Sequence, residues 1–261
     1  MQLMLSGEAL WEGNELRGAD AIRLMKVDFD NDAVTILAMP PTLWVNTPNL
    51  AGVDATTLSN TYRRAKDAAA SQGDRASMVQ GTQALAQALL DNFGYQPDHY
   101  ITLSQELFAS MVNTLGGIEI TLPAKVDGTA EGHGVFEAGT QVFTGVRADD
   151  YVRILQPNNL PQPDEWGRIE RQNQVVDALR ASILQPDNWL AMPILIGQFT
   201  ELIVTDLTPN QLLDLNCMID SVGDNIILMQ VGPDKVTVDG QGNMIPDEAA
   251  IRSLIDMALN Q

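Results

Sequence analysis

Helical and strand-like patterns alternate along this chain, and no other feature limits its possible folds as strongly. Apolar residues recur at helical spacing from Ala76 to Phe93, and Gly94 follows as a natural helix end. The short apolar run Tyr100–Leu103 comes next, then a second helical stretch, Gln105–Leu115, and the strand-like Ile118–Leu122. Amphipathic helices that alternate with short strands are typical of a layered sheet. The sequence therefore predicts an α/β fold.

The same alternation continues toward both ends of the chain. Two strand-like runs, Leu24–Phe29 and Val34–Met39, are joined by turn-forming residues, which is typical of a hairpin. Because no linker or low-complexity segment interrupts the sequence, a single domain over residues 1–261 is expected. The C-terminal part predicts a strand over Leu202–Leu207, a helix over Pro209–Asp220, a strand over Asn225–Gln230 and a helix over Asp247–Leu259.

The composition excludes several classes of function. The formal net charge of −19 argues against nucleic acid as a partner, because binding to its backbone needs a basic surface. The one cysteine, Cys217, excludes an intrachain disulfide and a cysteine-based zinc site, and its apolar helical setting predicts a buried thiol. His99 and His133 are too isolated to indicate a metal site or a catalytic triad. The most apolar stretch, Trp189–Gly197, is too short to cross a bilayer.

Arginine is concentrated in one part of this acidic chain, where no lysine accompanies it. A planar guanidinium binds carboxylate or phosphate oxygens two at a time, so this cluster indicates a shaped anion. The alternative is surface ion pairs with neighbouring carboxylates, worth about 0–1 kcal/mol each. The chemistry of the side chains leaves both readings open. The arginines are Arg147, Arg153, Arg168, Arg171 and Arg180, and the carboxylates are Asp149, Asp150, Asp164, Glu165 and Glu170.

Part of this cluster falls at the start of one predicted helix. Asp164, after a proline, is a candidate N-cap. Arg168, Arg171 and Gln172 would then share one helix face at i, i+3 and i+4. Cations at a helix start oppose the macrodipole unless an anion lies among them, where the free backbone N–H groups are further donors. The apolar residues Ile169, Val176, Leu179 and Ile183 predict the inward stripe of this helix.

Other candidate residues lie outside that helix. Tyr151–Leu155 resembles a strand, which would place Arg153 and the last residue of the run on one side. Asp20 stands at a strand entry, where it could make a turn hydrogen bond or hold a divalent cation beside a phosphate. Arg63 and Arg64 could reach an anion, or could belong to a solvated helix face.

With these motifs in place, the chain resembles the LytR-CpsA-Psr family of bacterial cell-envelope proteins. The resemblance covers nearly the whole chain, and the order of its motifs is specific. The matching segments are Asp20–Ile22, Ala38–Pro40, Tyr95–Ile101, Val112–Ile120, Gly139–Gly145, Ala148–Arg153 and Gly167–Gln172.

This resemblance implies a fold, a reaction and a location. The fold would be a central mixed β-sheet flanked by α-helices, with an apolar cavity for a polyprenyl tail and an arginine-lined mouth for its pyrophosphate. The reaction would transfer a glycopolymer from a polyprenyl-pyrophosphate carrier to peptidoglycan through a phosphodiester bond, assisted by Mg²⁺. The lipid substrate implies membrane proximity. The domain would lie on the extracellular face of the envelope, anchored by a transmembrane helix upstream of this chain.

The resemblance also implies roles for particular residues. Arg153, Arg168 and Gln172 would bind the pyrophosphate, with Arg171 completing the motif. Asp20 would hold Mg²⁺ and would act in catalysis together with Arg153 and Arg168. Arginines and a divalent cation suit such a reaction, because phosphoryl transfer depends mostly on positioning and on neutralising oxyanions.

The chain departs from the family pattern at several positions. Where the family usually has Pro-Arg-Asp after the second strand, this chain has Pro40-Pro41-Thr42. Leu155 replaces the second arginine of a usual Arg-x-Arg, and Gly18 replaces another arginine, with Arg17 one step away. Glu165 takes the place of an aspartate. The lost arginines raise an alternative function: a non-catalytic envelope module that binds polyprenyl phosphate or glycan.

Overall fold

A computed structural model describes residues 1–9, 18–183, 185, 203–223 and 225–260. Its contacts divide the chain into two compact units, the first made of Met1–Leu103 with Val204–Gln261 and the second of Ser104–Ile203. The single domain over residues 1–261 stays a prediction. Arg17 and the apolar stretch Trp189–Gly197 lie outside the described residues.

The first unit is built around a mixed sheet of six strands: β1 (Gln2–Ala9), β2 (Gly18–Asp28), β3 (Ala33–Met39), β6 (His99–Leu103), β11 (Ile203–Thr205) and β12 (Ile226–Gln230). Their order across the sheet is β11-β6-β1-β2-β3-β12. β1 and β3 pair antiparallel with β2, whereas β6 runs parallel to β1 and β12 parallel to β3. The predicted mixed sheet is therefore confirmed.

Helices cover both faces of this sheet: α1 (Leu58–Ala68), α2 (Asp74–Phe93), α6 (Pro209–Ser221) and α7 (Glu248–Leu259). Side chains alternate along a strand, so Leu3 and Met4 of β1 enter different cores. Met4 packs in the core that α1, α2 and α7 cover. Leu3 packs in a second core, against Met218 and Val222 at the end of α6.

Local signals set the ends of these elements. Gly94 ends α2 in the left-handed conformation with φ of 70°, as the sequence predicts. Thr57 caps α1 and Asp247 caps α7 through their side-chain oxygens. Two small antiparallel pairs complete the unit: β4 (Trp44–Asn46) with β5 (Ala55–Thr57), and β13 (Val236–Val238) with β14 (Met244–Pro246).

In its described residues, the second unit packs three helices with two short antiparallel strand pairs: α3 (Gln105–Thr114), β7 (Ile118–Leu122), β8 (Val126–Asp127), β9 (Val135–Phe136), β10 (Gly139–Phe143), α4 (Gly145–Arg153) and α5 (Glu165–Ile183). β7 pairs with β10 and alternates buried with exposed residues. Phe136, Phe143 and Tyr151 form the centre of the core, with ring centroids 5.1 to 5.4 Å apart. Aromatic pairs at this separation add to the gain from burial.

Three local predictions are wrong. Tyr151–Leu155 is not a strand, since Tyr151 and Val152 continue α4 to Arg153 and the following residues form a bend. A five-residue apolar run fits either element, and here burial of Ala148 and Tyr151 on one helix face selects the helix. On α5, Val175 rather than Val176 turns inward, with relative exposures of 2% and 38%.

The third wrong prediction concerns the cysteine. Cys217 is exposed on α6, whereas its neighbour Met218 is buried. Successive residues point about 100° apart around a helix, so an apolar stretch does not by itself say which member turns inward.

Candidate functional site

The candidate site begins at the start of α5, which Asp164 caps as predicted. The Gly167 amide donates to Asp164 Oδ1 at 3.0 Å, and the Arg168 amide donates to the Asp164 carbonyl at 2.9 Å. A Cβ atom at position 167 would overlap the Asp164 carboxylate, which explains the glycine before Arg168. This cap fixes the direction in which the first two turns of α5 present their side chains.

Arg168 and Glu165 form a buried ion pair one turn apart. Arg168 Nη2 donates to Glu165 Oε1 at 2.6 Å, and the two side chains are only 1% and 3% exposed. The second carboxylate oxygen of Glu165 is also buried and has no hydrogen-bond partner in the described part of the chain. The pair therefore lies in the interior. It is not one of the surface ion pairs that the sequence left open as an alternative.

Arg171 joins the start of α5 to the end of α4. Its Nη2 donates to the Ile154 carbonyl, and its Nη1 lies 3.9 Å from Asp164 Oδ2. Burial lowers the pKa of the Arg171 guanidinium, and the Asp164 carboxylate opposes that shift. The Nε atom of Arg171 is buried and has no hydrogen-bond partner among the described residues. A buried, charged donor of this kind is one that an anion could satisfy.

Arg153 ends α4 in a network with a carboxylate and an amide. Its Nε lies 3.3 Å from Asp149 Oδ1, and its Nη2 donates to Gln105 Oε1 at 2.6 Å. Gln105 in turn donates through Nε2 to Asp149 Oδ2 at 2.7 Å. The side chain of Arg153 is 9% exposed, so α3 and α4 hold its guanidinium in place.

Glu131 holds the segment between α4 and α5. Its carboxylate accepts hydrogen bonds from the backbone amides of Leu155, at 2.9 and 3.2 Å, and of Gln156, at 2.9 Å. The Asp164 amide donates to the Leu155 carbonyl at 2.6 Å and closes this segment. No sequence motif predicts a role for Gln105, and the only signal for Glu131 is an acid within a glycine-rich loop.

These contacts bring most of the predicted residues together. Arg168, Arg171 and Gln172 are all buried on one face of α5, and Arg171 connects that face to the residue after Arg153. The carboxylates Asp164 and Glu165 supply negative charge at the helix start, where the macrodipole favours it. The protein itself therefore provides the anions that two arginines at a helix start require.

The remaining predicted arginines have other surroundings. The Arg147 guanidinium lies over the Phe136 ring, with its central carbon 4.4 Å from the ring centroid, and it donates to the Val135 carbonyl. Arg180 lies in the last turn of α5, where a cation is favourable.

Asp20 belongs to the first unit and occupies an irregular position in β2. Gly7 pairs with Ala21 and Glu8 with Ala19, so Asp20 is the extra residue of a β-bulge. Bulges often redirect a side chain beside an active site. In the described ranges, no three His, Cys, Asp or Glu side chains form a potential metal site. One carboxylate is compatible with Mg²⁺ when phosphates and water supply the other ligands.

Comparisons with known proteins give consistent results. A profile of the LytR_cpsA_psr family matches residues 11–257. The cell wall biosynthesis protein LcpA of Corynebacterium glutamicum is 26% identical over 173 residues, which make up 63% of this chain and 33% of LcpA. The chain thus spans about a third of the length of that curated relative.

Solved structures share the fold. Protein gbs0355 from Streptococcus agalactiae superposes with a TM-score of 0.75 at 17% identity, over 100% of this chain and 88% of that one. A LytR-Csp2A-Psr enzyme from Actinomyces oris superposes with a TM-score of 0.71 at 21% identity, over 98% and 89% of the two chains. Among the described helices, none is both long and apolar enough to cross a bilayer. Because the family profile covers nearly all of its residues, this chain belongs to the LytR_cpsA_psr family.

Proposed function

We propose that this chain transfers a glycopolymer from a polyprenyl-pyrophosphate carrier to peptidoglycan during assembly of the cell envelope. The observation that carries this proposal is the buried arginine face of α5 in a member of this family. The similarity to a cell wall biosynthesis protein supports it. The domain would act on the extracellular face of the envelope, with a membrane anchor in the full-length protein.

The arginines are suited to bind the pyrophosphate. Arg168 and Arg171 are held by carboxylates of their own helix, and Arg153 is held by α3 and α4, so their guanidinium groups are positioned before a substrate arrives. Such preorganised donors neutralise oxyanions without reorganising during the reaction. Gln172, buried on the same face of α5, is a further donor for phosphate oxygens.

The reaction would be a phosphoryl transfer between the lipid-linked donor and a hydroxyl group of peptidoglycan, and it needs no further reactant. A hydroxyl oxygen of peptidoglycan would form a bond to the phosphorus that carries the glycopolymer. The bridging P–O bond of the pyrophosphate would break, and polyprenyl phosphate would leave with that oxygen. The hydroxyl proton would pass to solvent water, and the product would be a phosphodiester. The role of the arginines is to offset the negative charge on the oxygens at the reacting phosphorus.

Asp20 would hold Mg²⁺. When bound, a divalent cation neutralises phosphate oxygens and orients the leaving group. Thr42 stands where the family usually has an acid, so Asp20 would offer one carboxylate and the substrate phosphates the remaining oxygen ligands.

A second candidate function is binding without turnover. Leu155 and Pro41 occupy positions that carry arginines in the family pattern, and Thr42 occupies one that carries an acid, which removes two cations and one carboxylate. A non-catalytic module would keep the polyprenyl phosphate or glycan and release no product.

The two candidates differ in release of polyprenyl phosphate from a polyprenyl-pyrophosphate glycan donor with Mg²⁺. We expect Arg153→Gln to lower this rate by about 10²–10³-fold, the usual cost of losing one oxyanion donor, and Asp20→Asn to lower it and to weaken its dependence on Mg²⁺. Arg180→Gln, on the same helix as Arg168, is the matched control and should keep the rate. Donor binding without release would favour the binding module, and equal rates in all variants would refute the assigned site.

A further inference from the structure

Two adjacent arginines of α1 stand apart from the rest of the basic side chains. Within the described ranges, Arg63 and Arg64 make no ion pair and no hydrogen bond. The chain carries 34 acidic against 15 basic residues, so carboxylates are plentiful. In contrast, Lys66 on the same helix pairs with Glu8. Two arginines that have no partner among the described residues of so acidic a protein need a physical explanation.

Arg63 and Arg64 line a cavity of the first unit. The cavity has a volume of about 380 Å³, and Asp67 and the apolar side chains Leu50, Ala51 and Ala68 complete its lining. This volume lies within the range of small-ligand sites. Arg64 and Asp67 are exposed, so the cavity opens to solvent.

The burial of Arg63 favours a ligand. Its side chain is half-buried, and its Nε atom is buried without a hydrogen-bond partner in the described structure. A buried charged donor without a hydrogen-bond partner lowers the stability of the folded protein. An anion in the cavity that accepts a hydrogen bond from this donor would offset that cost. A solvated helix face, the alternative from the sequence, does not account for that buried atom.

Two ordinary explanations do not account for the pair. Asp67 is spaced to pair with Arg63 at i+4 and with Arg64 at i+3, but neither pair forms. The cavity therefore carries one more positive than negative side chain. A basic side chain can also stabilise the dipole of its helix, but only from the last turn. In α1 that turn contains Lys66 and neither of the two arginines.

We propose that Arg63 and Arg64 form a second anion-binding site, for phosphate or carboxylate groups repeated along a glycan polymer. Guanidinium groups bind both kinds of group through paired hydrogen bonds. Because the cavity opens to solvent, the parts of a polymer that adjoin a bound phosphate or carboxylate need not be buried. The polymer as ligand rests on the proposed function, whereas the anion chemistry rests on α1 alone.

Binding of labelled poly(glycerol phosphate) oligomers, without lipid donor and without Mg²⁺, tests the site. We expect Arg63→Gln/Arg64→Gln to raise the Kd on the order of tenfold, since hydrogen bonds to charged groups are among the stronger ones. Asp67→Asn should lower the Kd, because it removes the repelling charge. Added salt should weaken binding by the unchanged protein.

The matched control is Arg75→Gln, which removes an exposed positive charge from α2. Its Kd should stay within about twofold of the unchanged protein if net charge alone has little effect. Oligogalacturonate and neutral dextran identify the group: arginine-dependent binding of either polyanion, but not of dextran, supports the site. Equal Kd values in the Arg63/Arg64 variant and the Arg75 control would overturn it. This assay measures binding without polymer release, so a negative result would refute the second site and leave the proposed transfer reaction untouched. Loss of the transfer reaction would likewise leave the binding result for Arg63 and Arg64 unchanged.

Discussion

Removal of the Glu165 carboxylate tests whether the interior of the candidate site depends on its own ion pairs. Glu165→Ala leaves the Arg168 guanidinium in the interior without the carboxylate that lies 2.6 Å away. An exposed pair would contribute about 0–1 kcal/mol. With side chains only 3% and 1% exposed, this pair falls in the buried class, where loss of one partner costs about 3–5 kcal/mol. That is a large share of the roughly 5–15 kcal/mol by which a domain is stable.

The measurement is urea unfolding followed by circular dichroism, combined with amide hydrogen exchange of the peptides of α5. Glu170→Ala is the matched control, because it removes an exposed carboxylate from the same helix and should change the free energy of unfolding by at most about 0.5 kcal/mol. Exchange should accelerate in the first turns of α5 in Glu165→Ala and stay unchanged in the control.

A second variant separates the charge from its burial. Glu165→Leu/Arg168→Met replaces both charged groups with apolar side chains of similar size, and such replacements are often neutral or stabilising. We therefore expect the double variant to recover most of the stability that Glu165→Ala loses, while donor binding stays impaired. A cost below about 1 kcal/mol for Glu165→Ala, as for a solvated pair, would refute the reasoning.

Two further predictions concern neighbouring groups. Asp164→Ala should lower the free energy of unfolding by about 0.5–2 kcal/mol through loss of the helix cap, whereas Asp164→Asn should cost less because asparagine also caps; equal losses in thermal unfolding would contradict this. Burial raises the pKa of Tyr151 from 10.0 to about 12, so its contribution to stability is present below pH 10 and lost as the pH rises through about 12. An absorbance titration of tyrosinate compared with Tyr151→Phe should show that late ionisation, and identical curves would exclude it.

The sequence by itself determined the features that depend on local chain geometry. Helical spacing put Arg168, Arg171 and Gln172 on one face, and Asp164 marked the start of that helix, because both follow from the 3.6-residue period and the needs of the first free amides. The alternation of short strands and helices likewise determined the α/β class of the fold, and the resemblance to the family implied that its sheet is mixed. The order of the motifs indicated the family, which the match over residues 11–257 confirms.

Only the tertiary structure decided which groups meet across distance in the chain. The Glu131 carboxylate holds amides 24 and 25 residues away, and Arg168 is paired with Glu165 in the interior rather than at the surface. The run from Tyr151 became a helix because its side chain packs with Phe136 and Phe143, which no local pattern records. Cys217 is exposed although its helix is apolar, because the local pattern does not determine which side of that helix is covered by other elements. Local dihedral preferences fix the face that a residue shares with its neighbours, whereas contacts with distant residues fix whether that face is buried.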